Sequence, residues 1–211
     1  MGKNNNANTT HNARTAVKDA HEKCAIEDTL DILNPANDTN FRIIDRPDPP
    51  DAIIFDGKNH CWIEHVDAFR SGDEAHELLS YVTPGEKKHQ RLEQLIANPD
   101  ARTSLSVIEK LENKTGKTSY QPYFEQYGQG ILVITEQDPL FSERTLVQLQ
   151  NDLAWFYNES KSKSTDLLYF KKAYLRFKCS FWVRHGLVQI YPTWGLYHLP
   201  DNYLLDDLRE D

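Results

Sequence analysis

Asp51 follows Pro50 at the head of a β-rich run, Asp51-Ala52-Ile53-Ile54-Phe55, and Glu64 lies thirteen residues later within a second such run, Cys61-Trp62-Ile63-Glu64-His65-Val66. Between them stands Asp56-Gly57-Lys58-Asn59. That sequence suits a tight hairpin turn, since glycine tolerates positive φ and the Asp and Asn side chains bond nearby backbone. Such a hairpin brings Asp51 and Glu64 side by side across the ladder. Two carboxylates aimed at one point repel each other unless a cation lies between them. Oxygen ligands of this kind suit Mg²⁺ or Mn²⁺. An ion held there would lower the pKa of bound water and stabilise charge on a phosphate in transfer. Other chemistries have less behind them. His60, His65, His76 and His89 show neither HxH nor HExxH spacing, and on a regular strand His65 points away from Glu64. The sequence contains no Walker loop, no GxGxxG and no GxSxG.

The step Pro50-Asp51, followed by Ile63-Glu64-His65-Val66, resembles the PD-(D/E)XK nuclease superfamily. In that family a proline–aspartate step begins a strand, and an acid on the next strand precedes a lysine by two residues. The resemblance covers roughly Arg14 to Thr135 and implies a restriction-endonuclease-like core of helix, three strands, helix and strand. It implies a metal-dependent phosphodiesterase that hydrolyses DNA or RNA, with Asp51 and Glu64 as the ligands of Mg²⁺ or Mn²⁺. Val66 occupies the family's lysine position. Glu64 and Val66 share a strand face, so an apolar side chain stands where the amine belongs. Some family members carry that lysine on the following helix instead. The resemblance then points to Lys114, three residues after Leu111 and six after Ile108, near the end of the helix's inward stripe, with Lys117 as second choice. The family also often uses a glutamate from the first helix, which makes Glu22, bordering the apolar stripe at Ala25 and Ile26, a further catalytic candidate. The missing strand lysine favours an alternative, a nuclease-like fold without catalysis that binds or inhibits a protein or nucleic-acid partner.

The elements that would position these residues follow from periodicity. Residues 1–13, rich in Asn and Thr without an apolar period, read as a disordered tail, and residues 14–211 as a single α/β domain. Val17, Ala20, Cys24, Ile26, Leu30 and Leu33 predict a helix from Arg14 to Leu33, ended by Asn34-Pro35. Phe41-Arg42-Ile43-Ile44 predicts a short strand before the Pro-rich run at Arg46 to Pro50. Residues 70–102 are polar, with a modest helical pattern from Lys87 to Ala97 broken by Pro99-Asp100. A helix is expected from Ser104 to about Thr115, a buried strand over Ile131 to Thr135, and a helix from Leu146 to Phe156. Phe181-Trp182-Val183-Arg184 and Leu187 to Tyr191 read as an added C-terminal β-hairpin turned at His185-Gly186. This order fits a mixed central β-sheet with helices on its faces.

Composition bounds the partners. The 211 residues carry a formal net charge of −8, which disfavours a general nucleic-acid surface. Positive charge is nevertheless concentrated between Lys161 and Arg184, where Lys163, Lys171, Lys172, Arg176 and Lys178 are interleaved with Tyr169, Phe170, Tyr174, Phe177, Phe181 and Trp182. That stretch is the expected nucleic-acid contact, with rings to stack bases and amines to meet phosphates. The apolar runs are too short to span a bilayer, so no membrane partner is expected. Cys24, Cys61 and Cys179 form no CxxC pair; they read as small buried residues, and a reducing cytoplasm suits them. Homo-oligomerisation is left open.

Overall fold

The computed structural model describes residues 5–69, 72–83, 98–138, 141–161, 168–177 and 186–198. The hairpin at its centre is built as its turn chemistry dictates. The Asp56 N–H donates to Asn59 O at 3.2 Å, and Asp56 Oδ1 accepts from the N–H groups of Lys58 (2.8 Å) and Asn59 (2.7 Å). Gly57 takes φ +96°, a conformation that strains any residue with a Cβ. The arms are β2 (Ala52–Phe55) and β3 (His60–Ala68), paired antiparallel with Ala52 opposite Ile63.

These strands lie within a seven-stranded mixed sheet whose order follows the chain. β1 (Arg42–Asp45) pairs antiparallel with β2. β4 (Gly130–Glu136) and β5 (Phe170–Phe177) continue parallel from β3. β6 (Gly186–Tyr191) and β7 (Gly195–His198) close the sheet as antiparallel neighbours. α1 (Asn5–Asn37) covers one face; its Ile26, Leu30 and Leu33 pack on Ile54, Ile63 and Val133. The opposite face carries α3 (Pro99–Thr115) and α5 (Glu143–Lys161), whose Val107, Leu111, Leu146 and Leu149 pack on Trp62, Leu132 and Ile134. The sheet thus has two cores, as parallel strands covered on both sides require, and every residue of β4 is buried.

Several elements depart from the sequence expectation. α1 begins at Asn5, so most of the stretch expected as a tail is helical, an extension that adds one backbone bond per residue to a helix already nucleated. It also runs past Pro35, which sits in the last turn; there Asn34 takes over the capping, accepting from the Phe41 N–H at 2.8 Å and donating to Phe41 O at 2.9 Å. Pro99 starts a helix rather than breaking one, because at the first helical position its missing N–H is no loss; Asn98 Oδ1 caps Ala101 N–H at 3.2 Å. Two helices lie outside the expected set, α2 (Gly72–Val82) and α4 (Gln121–Tyr127). The described partners of Leu187 to Tyr191 are β5 and β7, so the C-terminal hairpin is β6–β7, and the expected arm Phe181 to Arg184 lies outside the described residues, as does the pattern over Lys87 to Ala97. Cys61 is buried but Cys24 is exposed, since it faces outward one step off the packed stripe of α1. Among the described residues no helix is long and apolar enough to cross a membrane.

The β3–β4 step depends on one close approach. Trp62, fully buried, lies over Gly130 and donates its indole N–H to Gly128 O at 2.8 Å; a Cβ on Gly130 would meet the indole ring at 2.4 Å. Gly130→Ala is therefore expected to destabilise the fold by about 1–3 kcal/mol, the usual cost of overpacking. Denaturant unfolding followed by Trp fluorescence tests this, and an unchanged midpoint would show that the indole moves aside freely.

Candidate active site

β2 stops at Ala52 while β3 runs on to Ala68, so beyond Ile63 the β2-side edge of β3 has lost its strand partner. The side chain of Asp51 replaces it: Asp51 Oδ2 accepts the N–H of His65 at 2.7 Å. The register sets Asp51 opposite Glu64, and both belong to the face that carries Ile53, Trp62 and α3. Both acids are buried. Lys114, from the last turn of α3, reaches the same point, with Nζ 2.5 Å from Glu64 Oε1. The helical phase that carries Leu111 into the core carries Lys114 onto the sheet edge. The Glu64 carboxylate is buried beside the buried Tyr120 hydroxyl, which lies near enough to hydrogen-bond to it.

Electrostatics at this point are strongly loaded. Burial, reinforced by the charge of Glu64, pushes the Asp51 carboxyl up to about 7, against the bond from His65 N–H and the nearby Lys114. Tyr120, stacked on Trp62 at 5.4 Å, has its hydroxyl pushed well above the phenol range by burial and by the adjacent Glu64 charge. Glu22 lies on α1 with Oε1 3.2 Å from Lys18 and Oε2 3.9 Å from Arg46; burial raises its carboxyl while the Lys18 and Arg46 charges hold it back. Arg46 also donates to the backbone carbonyl of Asp51 at 3.3 Å, tying the Pro-rich segment to the site. Asp51, Glu64, Lys114 and Glu22 all line one cavity of about 700 Å³, and the exposed Lys117 lies at its rim. The four candidate residues are thus brought to one cavity from α1, the residue just before β2, β3 and α3.

The same cavity holds a second group that spacing rules passed over. His65 and Asp67 occupy the α1 side of β3, and His21 reaches them from α1. Its hydrogen bond to the Asp67 carboxylate, which accepts, holds the His21 imidazole above its ordinary range. Burial depresses His65 to about 4. Burial would raise Asp67, but the bonds from His21 and Gln137 and the neighbouring imidazoles outweigh it and leave the carboxyl low. The available signal was the pair His65 and Asp67, two apart on a strand, together with His21 one turn before buried Ala25. A search for HxH or HExxH does not find it.

The basic-aromatic stretch proves different in its described part. Tyr169, Phe170, Tyr174 and Phe177 are core residues, and Arg176 is buried and paired with Asp28. Strand alternation and double-sided burial turn these residues inward, so no basic-aromatic surface forms there; Lys171 is exposed, while Lys163, Lys178 and Arg184 lie outside the described residues.

Asp51 also yields a stability prediction. Its folded-state pKa of about 7 lies above the unfolded value of about 3.9, so the folded chain holds the extra proton. That contribution is full below about pH 4 and is lost as pH rises through about 7. Asp51→Asn keeps an acceptor for His65 N–H and removes the repulsion. It should stabilise the metal-free protein at about pH 8 by on the order of 1–4 kcal/mol, read as a higher Tm, and flatten the pH dependence of Tm between about 4 and 7. A lower Tm at about pH 8 would mean that the ionised carboxylate is held by its partners.

No protein-family model matches this chain, and neither a curated protein nor a solved structure matches it.

Proposed function

We propose that this chain is a metal-dependent phosphodiesterase that hydrolyses DNA or RNA, with a restriction-endonuclease-like core. The observation that carries the reading is the meeting of Asp51, Glu64 and the Lys114 amine at one buried point. The donor set fits a hard divalent cation: two facing buried carboxylates, one of them raised by burial and by the charge of the other. The order of helix, three strands, helices and strand through β4 agrees with the core that the resemblance implies.

Bound there, Mg²⁺ or Mn²⁺ would supply Lewis-acid activation and a water of lowered pKa. Asp51 and Glu64 hold the ion, and Glu22 adds a third carboxylate to the same cavity. Lys114 exchanges its bond to Glu64 for one to a non-bridging phosphate oxygen and neutralises the charge that develops there. Val66 leaves that amine unopposed by a second lysine from the strand. A nuclease-like binding or inhibitory module is the second reading; it is favoured by the ion pair that already satisfies Lys114 and by the net charge of −8.

Labelled single- and double-stranded DNA and RNA, incubated with Mg²⁺ or Mn²⁺, separate the two. Cleavage that EDTA abolishes is expected from the parent. Lys114→Ala should slow it by about 10²–10⁴, the usual worth of a positioned acid–base or electrostatic group, whereas Lys117→Ala should change it little. Full activity in Lys114→Ala would refute the role of this lysine. A parent that cuts no substrate with either metal would favour the binding module.

A further inference from the structure

On the face of β3 opposite the Asp51–Glu64 pair, three side chains of metal-ligating type converge. His65 and Asp67, two apart on one strand, share that face, and α1 brings His21 onto them. One ligand atom from each lies within 4.8 Å of the others. The focus is a single oxygen, Asp67 Oδ1, which lies 2.9 Å from His21 Nε2 and 3.7 Å from His65 Nε2. The two rings meet edge-on, with centroids 5.7 Å apart, so both Nε2 atoms turn toward the carboxylate. Ligand atoms around a tetrahedral ion at about 2.0–2.1 Å are roughly 3.4 Å apart. The observed separations from Asp67 Oδ1 bracket that value.

We propose that His21 Nε2, His65 Nε2 and Asp67 Oδ1 form a site for one divalent transition-metal ion of the zinc class. Two imidazole nitrogens and one carboxylate oxygen suit such an ion, whereas Mg²⁺ and Ca²⁺ take oxygen donors. Three protein ligands leave a position for water or another exogenous ligand, and all three residues line the cavity of about 700 Å³. In the metal-free chain these ligand atoms are held by other partners that an ion would displace: Gln137 Nε2 donates to Asp67 Oδ1 at 2.8 Å and lies 3.3 Å from His21 Nε2, and Thr135 Oγ1 lies 2.9 Å from His65 Nε2. This site shares no ligand with Asp51 and Glu64 and does not rest on the phosphodiesterase reading.

Co²⁺ titration, followed by visible absorption and reversed by added Zn²⁺, tests it on the full chain. One saturable Co²⁺ per chain is expected. Asp51→Asn/Glu64→Gln should keep it. His21→Ala, which changes a side chain 40% exposed and so should fold, is expected to abolish the absorption bands. Asp67→Asn should do the same. Circular dichroism and a melting curve establish that each variant is folded. The proposal is overturned if folded parent protein shows no saturable Co²⁺ or Zn²⁺ binding. It is equally overturned if His21→Ala and Asp67→Asn bind Co²⁺ as the parent does, or if binding disappears only in Asp51→Asn/Glu64→Gln.

Discussion

The hydrogen bond from His65 N–H to Asp51 Oδ2 is the hinge on which this site turns. It exists because β2 ends early, leaving a backbone donor at the edge of a buried strand that must find an acceptor. A carboxylate supplies that acceptor, and in doing so is held against Glu64 with little freedom to turn away. The same bond fixes the strand at the residue where one side chain, Glu64, goes to the α3 face and the next, His65, to the α1 face. Two chemically different groups, one of oxygens and an amine, the other of imidazoles and a carboxylate, are thereby set back to back around one cavity.

Burying so much charge is costly, and the fold offsets it unevenly. Lys114 neutralises Glu64, and His21 and Gln137 satisfy Asp67, but among the described residues Asp51 accepts one backbone N–H and feels the Lys114 charge, too little to offset its burial and the neighbouring Glu64. Folded proteins retain such local conflict chiefly where it serves chemistry, and the remainder of the domain supplies the compensating stability. Here that compensation comes from two apolar layers: the α1 layer over Ile63 and Val133, and the α3–α5 layer over Trp62, Leu132 and Ile134. The Trp62–Gly130 contact locks β3 to β4 at the foot of the same strand that carries both groups, so core packing and site geometry are coupled mechanically.

Much of this was legible from local chemistry. Asp56-Gly57-Lys58-Asn59 encodes its own turn, and the β-rich runs on either side encode the arms, so the hairpin follows from short-range rules alone. The stripe Ile108-Leu111 set the phase that carries Lys114 inward, which is why a lysine fifty residues from Glu64 could be named from the sequence; the salt bridge spans that interval. The short α4, seven residues beginning Gln121-Pro122, carries too little apolar period to announce a helix, and α2 was passed over inside a polar stretch despite its amphipathic pattern. Pro99 was read as a breaker because a proline looks the same at the end of one helix and at the first turn of the next.

What the sequence by itself determined is therefore the α/β class, the central hairpin, the candidate acids Asp51 and Glu64, and the candidate lysine Lys114, which rest on turn residues, β-rich runs, a helical period of 3.6 and a short motif resemblance. The tertiary structure alone decided three things. It brought His21 onto a strand more than forty residues away, because which turn of a long helix crosses a sheet depends on the docking of the whole apolar layer. It sent Tyr169, Phe170, Tyr174 and Arg176 into the interior, because a strand covered on both faces has no outward side. And it stopped β2 one residue short of Glu64, because the end of a ladder depends on where the neighbouring chain departs, which no local pattern encodes.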